Sequence, residues 1–483
     1  MVGVKRSFKI ALQVSLVLGL ILFVFGETFA TSTFVRGRNA QNDIEQRVKS
    51  LSVDDLGDRI LVFAPHPDDE SLGVGGLIWM AKEQGRQVKV VIMTNGDCFT
   101  RGVEAYLYQI KPKSQTYLQY GGQRQLETIT SLTSLGLAQS DVIFLGFPDK
   151  GLAKLWQGVW GDVPYRSSCT GYTQVPYDLS YVHGATFTAP ELVSLIRTVI
   201  LSYMPTSVFV TDSSDANSDH WATSNFVMTA LLQIESFDQA YSPKVFTYVI
   251  HSGYWQTIPA SKHLKAVLYP PRYFLVEGYQ WHSLTLSQTA KKMKVKAIPN
   301  YHTQETVMPQ FLQNFERPNE LFNLYVVRKI PQLDVAVTNE DLFRSLFTLE
   351  PVCYSPQVNE AVRVLNSGTY LNKLYALTTN DQTMVLGIQL GGRARVGTRF
   401  LVHVRFFGAE DLISSYDIGV SVTTKGLSIS STDSLQATAI MSNNLFALIL
   451  KGKPAHSIFV GISVQSYYEG VQVDSLPWHF LSF

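Results

Sequence analysis

The chain is poor in cysteine: there are three, none of them in a Cys-x-x-Cys pair, which argues against a metal centre held by thiolates. It is also poor in charge. Asp, Glu, Lys and Arg make up 16% of the residues, and 40 bases against 39 acids leave +1. That balance offers no basic footprint for nucleic acid and no acidic tail. Repeats and low-complexity tracts are lacking too. Apolar residues, in contrast, reach 46%, and Phe, Tyr and Trp are abundant, a stock that suits β-rich packing and sugar stacking alike. At 483 residues the chain is too long for one ordinary domain, and two are expected.

The richest stretch runs from Arg59 to Gly76. Residues 60–64 are a short apolar run, the pattern of a buried strand in a parallel sheet. Pro65-His66-Pro67 ends it, since two prolines disfavour both ladder pairing and helix. Asp68, Asp69 and Glu70 follow without a gap, then a glycine-rich turn (Gly73, Gly75, Gly76) leading into a helix pattern at 77–83. A single Asp here would serve as an ordinary N-cap. Three consecutive carboxylates beside His66 repel one another unless a cation joins them, and a metal site is therefore expected.

Further apolar runs at 88–93, 142–145, 207–211 and 245–250 alternate with helical patterns at 123–135 and 190–203, with another after His220. Residues 101–120 read as an insertion without clear period. The grammar predicts an α/β fold, a Rossmann-like, doubly wound, mainly parallel sheet. Four strand ends carry polar clusters: His66 with Asp68, Asp69 and Glu70; Asn95 with Asp97; Asp149; and Asp212 through His220. In such a sheet all of them face one crevice. Two imidazoles and a carboxylate satisfy Zn²⁺ and leave a fourth position for water, and His66, Asp69 and His220 can supply that set. The plainer reading of His220 is a helix-start histidine in a solvated loop. After about Asp334 short apolar or alternating segments separated by Gly, Asn, Asp and Ser predict an all-β sandwich with no helix of any length.

The motif Ala-Pro-His66-Pro-Asp68-Asp69-Glu70 closely resembles the metal motif of the LmbE-like N-deacetylase family, which includes the PIG-L enzyme of glycolipid-anchor synthesis. Thr94-Asn-Gly-Asp97, Arg124-Gln-Leu-Glu127, Leu145-Gly-Phe-Pro-Asp149 and Ala297-Ile-Pro-Asn-Tyr-His-Thr-Gln304 look like further family landmarks in the expected order, so the resemblance spans roughly residues 56–330. It implies zinc held by His66, Asp69 and His220, with Asp68 as general base. Glu70 would orient the turn or a ligand from behind. The chain departs from the family at Asn217, where a second His commonly stands. Asn donates a hydrogen bond but cannot become cationic, and His251 is a candidate substitute, with packing at a strand end as its plainer role. Arg124 and Glu127 read as an ion pair beneath the site. Asn95, Asp97 and Asp149 would hold sugar hydroxyls or satisfy turns. Trp156, Trp160, Tyr165 and Tyr172 would wall a sugar or pack their loop.

The expected function is zinc-dependent removal of an N-acetyl group from an N-acetylglucosamine-type amino sugar or glycoconjugate. The alternatives are a non-catalytic surface glycan-binding protein, or the same chemistry on a non-sugar amide. The expected organisation is a signal peptide or membrane anchor at 1–30, a linker at 31–55, the deacetylase domain at 56–334 and an accessory sandwich at 335–483. Lys5, Arg6 and Lys9 ahead of an apolar run, then Thr28-Phe29-Ala30, predict export, with the membrane as a partner if the segment is uncleaved. The sandwich is expected to contact cell wall or glycan. Cys98 and Cys169 are able to pair in an oxidising compartment.

Overall fold

Strand β1 (Arg59–Ala64) is buried from Ile60 onward, and its alternating side chains feed two different cores. Leu61 and Phe63 point into one layer, while Ile60, Val62 and Ala64 point into the other, as the period of a strand covered on both faces requires. This computed structural model describes residues 46–158, 160–252, 266–271, 274–275, 278–333, 338–354, 365–431 and 436–483. The expected signal or anchor at 1–30 lies outside them, as do residues 31–45 of the expected linker. No helix among the described residues is long and apolar enough to cross a membrane. Contacts divide the chain into residues 1–49 and 50–483, and all that follows concerns the second unit.

After β1 come α1 (Asp69–Glu83), β2 (Gln87–Thr94), α2 (Thr100–Leu107), α3 (Ser114–Ser134) and β3 (Val142–Phe147). Then follow α4 (Leu152–Gln157), α5 (Ala189–Tyr203), β4 (Ser207–Thr211), α6 (Ser218–Phe237), β5 (Lys244–Tyr248), β6 (Trp281–Thr285), α7 (Gln288–Ala297) and β7 (Asn319–Tyr325). In space these strands run β6-β7-β5-β4-β1-β2-β3. The five from β5 to β3 are parallel, and β7 and β6 join antiparallel, so the sheet is the mainly parallel α/β sheet expected. The chain leaves β1 toward β2 and β3, then returns to β1's other flank as β4. The sheet therefore switches direction between β1 and β4, where open α/β sheets place their ligands.

Two local readings change. The glycine-rich turn is helix: α1 begins at Asp69 and runs through Gly73, Gly75 and Gly76. A Cβ on Gly73 would lie 2.4 Å from Tyr248 Cδ2, so the glycine answers to a neighbour's proximity and not to a turn. Residues 101–120, expected without period, are mostly helix in α2 and the start of α3.

Beyond β7 the chain builds two facing six-stranded sheets, almost wholly antiparallel, over a core of Phe400, Val402, Phe446, Leu448 and Ile462 among others. The strands Arg328–Lys329 and Gln332–Leu333 already belong to this sandwich, one to each sheet. A helix, Asn339–Leu346, interrupts the all-β reading; Thr338 caps it and Asp341 answers as the other half of a capping box. The first α/β core continues into the sandwich without a break. Fully buried Trp156 stacks on Phe407 at 5.9 Å and meets Trp478 edge-on at 5.4 Å. Trp160 and Tyr165 pack against the same cluster, so with Trp156 they bind the loop to the body, while Tyr172 stands exposed.

Candidate metal centre

The carboxyl end of β1 is tied to β2 by Thr94, whose N–H and hydroxyl both donate to Pro65 O at 3.0 Å. The chain then turns sharply through Asp68, which has φ 120°. Three contacts hold this turn. Glu70 accepts the Asp68 N–H at 3.1 Å, Arg124 donates to Pro67 O, and the Arg124 guanidinium lies 3.4 Å from Asp68 Oδ2. Glu70 is fixed in turn by Ser71 Oγ at 3.0 Å and by the Tyr301 hydroxyl. Arg124 and Glu127, expected to pair, go to different partners: Glu127 accepts the Thr303 N–H at 3.1 Å.

Across the switch point, β4 ends in the loop that carries Asp215 and enters α6. Asn217 is the N-cap of that helix, its Oδ1 accepting the Asp219 N–H at 2.9 Å. His220 follows within the first turn, and the structure brings it to His66 and Asp69. His66 Nδ1 and Asp69 Oδ2 are 3.1 Å apart, His220 Nε2 and Asp69 Oδ2 3.1 Å, and the two imidazole nitrogens 3.2 Å. Tetrahedral bonds of 2.0–2.1 Å give ligand–ligand edges of roughly 3.3 Å, so the triangle has the size of one face of a zinc tetrahedron.

The far nitrogens complete the fit. His220 Nδ1 lies 3.2 Å from Asp215 Oδ2, which fixes its proton there and turns the Nε2 lone pair toward the triangle. His66 Nε2 lies 3.4 Å from Asp149 Oδ1 and 3.5 Å from Asp219 Oδ2, with the same consequence for Nδ1. His66, Asp149 and Asp219 form a second grouping. It fits a cation less well, because Asp219 already accepts the N–H groups of Lys150 and Leu152 and Asp149 that of Cys98. Asp215 and Asp219 are legible only as members of an acidic cluster, and Asp149, expected at sugar hydroxyls or a turn, takes the Cys98 N–H and stands behind His66; which imidazole each supports is a tertiary fact.

The electrostatics suit a cation. Burial disfavours a charged His220, yet Asp215 and Asp69 outweigh it and lift the imidazole to about 9. Burial also opposes ionised Asp69, but His220 and His66 hold its carboxyl well below the usual range. Asp68 differs: burial raises it well above that range, against the pull of Arg124. Four carboxylates around two imidazoles make a negative nest in which a divalent ion replaces protons.

His66, Asp68, Asp69, Asn217 and His251 all line a cavity of about 450 Å³, within the range of small-ligand sites. His251 stacks flat on Phe311 at 5.1 Å and meets His220 edge-on at 4.9 Å, and burial with the neighbouring His220 depresses its basicity. Asn95 and Asp97 stand apart from the triangle: Asn95 Oδ1 accepts from Gln125, and Asp97 takes the Tyr177 hydroxyl. Cys98 and Cys169 form a disulfide, Cα–Cα 5.6 Å.

A family model described as PIG-L, GlcNAc-PI de-N-acetylase, matches residues 61–231, the span that holds all three corners of the triangle. Residues 61–231 are a PIG-L domain. The PIG-L domain thus belongs to a family of amide-cleaving N-deacetylases. No curated protein matches the chain. Among solved structures, N,N'-diacetylchitobiose deacetylase from Pyrococcus horikoshii aligns at 17% identity over 56% of this chain and 84% of that one, TM-score 0.35. The A40926 pseudoaglycone deacetylase Dbv21 aligns at 17% over 55% and 96%, TM-score 0.35. GalB, a 4-carboxy-2-hydroxymuconate hydratase from Pseudomonas putida, aligns at 15% over 58% and 100%, TM-score 0.34. At such scores none of the three carries weight for the chemistry of the PIG-L domain.

Proposed function

We propose that the protein is an exported, zinc-dependent hydrolase that removes the N-acetyl group from an N-acetylglucosamine-type amino sugar or its conjugate. One observation carries this reading: two corners of the His66–Asp69–His220 triangle, His66 and Asp69, line a cavity beside Asp68, a carboxylate whose own contacts lie elsewhere. A zinc ion held by those three residues would polarise the amide carbonyl and make its bound water acidic. Asp68 is the general base. It lines the cavity beside His66 and Asp69, and Arg124 and Glu70 hold it in place. The proton it takes passes to the leaving amine. Asn217, spent on capping α6 through Oδ1, keeps its amide N–H₂ for the substrate oxygen, and His251 lies on the same cavity wall. Export is supported by the N-terminal basic and apolar pattern and by the disulfide, since disulfides persist in oxidising compartments.

Zinc-loaded protein is expected to release acetate from an N-acetylglucosamine conjugate. Asp68→Ala is expected to abolish release while retaining the metal. Activity that survives Asp68→Ala would remove the base assignment.

A further inference from the structure

Where the sandwich meets the α/β part, a second cavity of about 540 Å³ opens on the other flank of the Asp212–His220 loop. Ser213 to Ala216 line this cleft, while Asn217 to Asp219 line the cavity of the metal triangle, so one loop forms a wall of both. The size is that of a small-ligand site.

Its chemistry is specific in what it leaves unused. No Lys or Arg lines it, and its two carboxylates are committed. Asp215 serves His220 together with the N–H groups of Ile250 and His251, and Asp474 accepts those of Leu371 and Ser475 at 2.9 Å. The cleft thus offers an anion no Lys or Arg, and its carboxylates already hold backbone N–H groups. What remains is neutral and hydrogen-bonding. Trp221 and Trp478 present indole N–H groups without a partner among the described residues, although Trp478 is only 6% exposed. Gln465 accepts the Tyr467 hydroxyl at 2.6 Å, which leaves its N–H₂ unspent, and Gln472 and Ser475 stand exposed at the rim. His403 gives Nδ1 to Asp417 at 2.7 Å and keeps Nε2. The Trp478 ring is braced by the Arg405 guanidinium 4.9 Å from its centroid. Indole N–H groups, uncharged amides and hydroxyls along one cleft match a neutral ligand with many hydroxyls.

We propose that this cleft is a subsite for a neutral sugar unit, and that the substrate is an oligosaccharide or polysaccharide with its N-acetylated unit in the metal cavity. The second clause rests on the deacetylase reading; the first does not.

The test uses the full, zinc-loaded chain carrying Asp68→Ala, so that ligand is not consumed. Calorimetric titration compares N-acetylglucosamine with its β-1,4-linked tetramer. The tetramer is expected to bind at least tenfold more tightly. That ratio is expected to fall toward one with Ser475→Trp, which fills the cleft from its rim, and with Gln465→Ala/Gln472→Ala, which removes amides without adding bulk. A tetramer that binds no better than the monomer, or a ratio untouched in both variants, overturns the subsite. If the wild-type chain releases no acetate yet the ratio collapses in the variants, the subsite stands and the catalytic reading falls.

Discussion

Asp215→Asn isolates the support behind His220 without touching a corner of the triangle. Asp215 Oδ2 gathers three contacts, His220 Nδ1 at 3.2 Å, Ile250 N–H at 2.8 Å and His251 N–H at 2.9 Å, while Oδ1 accepts the Asn217 N–H at 3.0 Å. The asparagine carbonyl can take over the threefold position. Its N–H₂ then faces the Asn217 N–H, donor against donor, so one buried hydrogen bond is lost at a cost of about 1–3 kcal/mol in stability. The larger effect falls on the metal. Without the negative charge His220 becomes a poorer lone-pair donor, and losses of this kind weaken metal binding about 10- to 100-fold, or roughly 1.4–2.7 kcal/mol. Zinc titration against a competing chelator, at a temperature where thermal melts show the variant folded, reads this directly. A zinc affinity within twofold of wild type would refute the claim that Asp215 tunes His220.

Two predictions concern stability. Burial, reinforced by the charge of Asp149, raises Asp97 to about 7 from an ordinary 3.8, so the folded protein holds a proton there that the unfolded chain has released. Stability from this group is then greatest below pH ~4, falls as pH rises through that window and levels off above ~7, on the order of 4 kcal/mol in full. Asp97→Asn should flatten the loss, gaining on wild type between pH 5 and 8 in urea unfolding; a gain independent of pH counts against it. Gly73→Ala drives a methyl into the Tyr248 ring, which is pinned by its hydroxyl to Phe63 O at 2.9 Å, and should cost about 1–3 kcal/mol. Gly122→Ala, on α3 with nothing within 4 Å of its Cβ, should stabilise by about 0.4–1 kcal/mol. Equal denaturation midpoints for the two variants would contradict the packing account.

Period and punctuation alone made much of the fold legible. The buried runs at β1, β2 and β4, the helix opened by Thr188 and Pro190, and the switch to short alternating segments after β7 are local patterns, read from residues that are neighbours in the chain. The capping box at Thr338 and Asp341 is an equally local signal, set among strand patterns. Local pattern failed where a residue answers to something distant. The glycines of α1 look like a turn because the atoms that demand them, in Tyr248 and Leu286, lie far along the chain. Whether Trp156 walls a sugar or packs its loop is open in the sequence, and the sandwich decides it by covering the ring with Phe407, Trp478 and Phe480. At the site, sequence alone determined which residues can hold a metal and that strand ends would gather them. Tertiary structure decided that β1 and β4 are neighbours at the switch point. That adjacency sets His220 3.1 Å from Asp69, and it determines which carboxylate stands behind each imidazole. Such pairings depend on contacts between residues up to 154 positions apart, and no periodicity encodes a contact of that range.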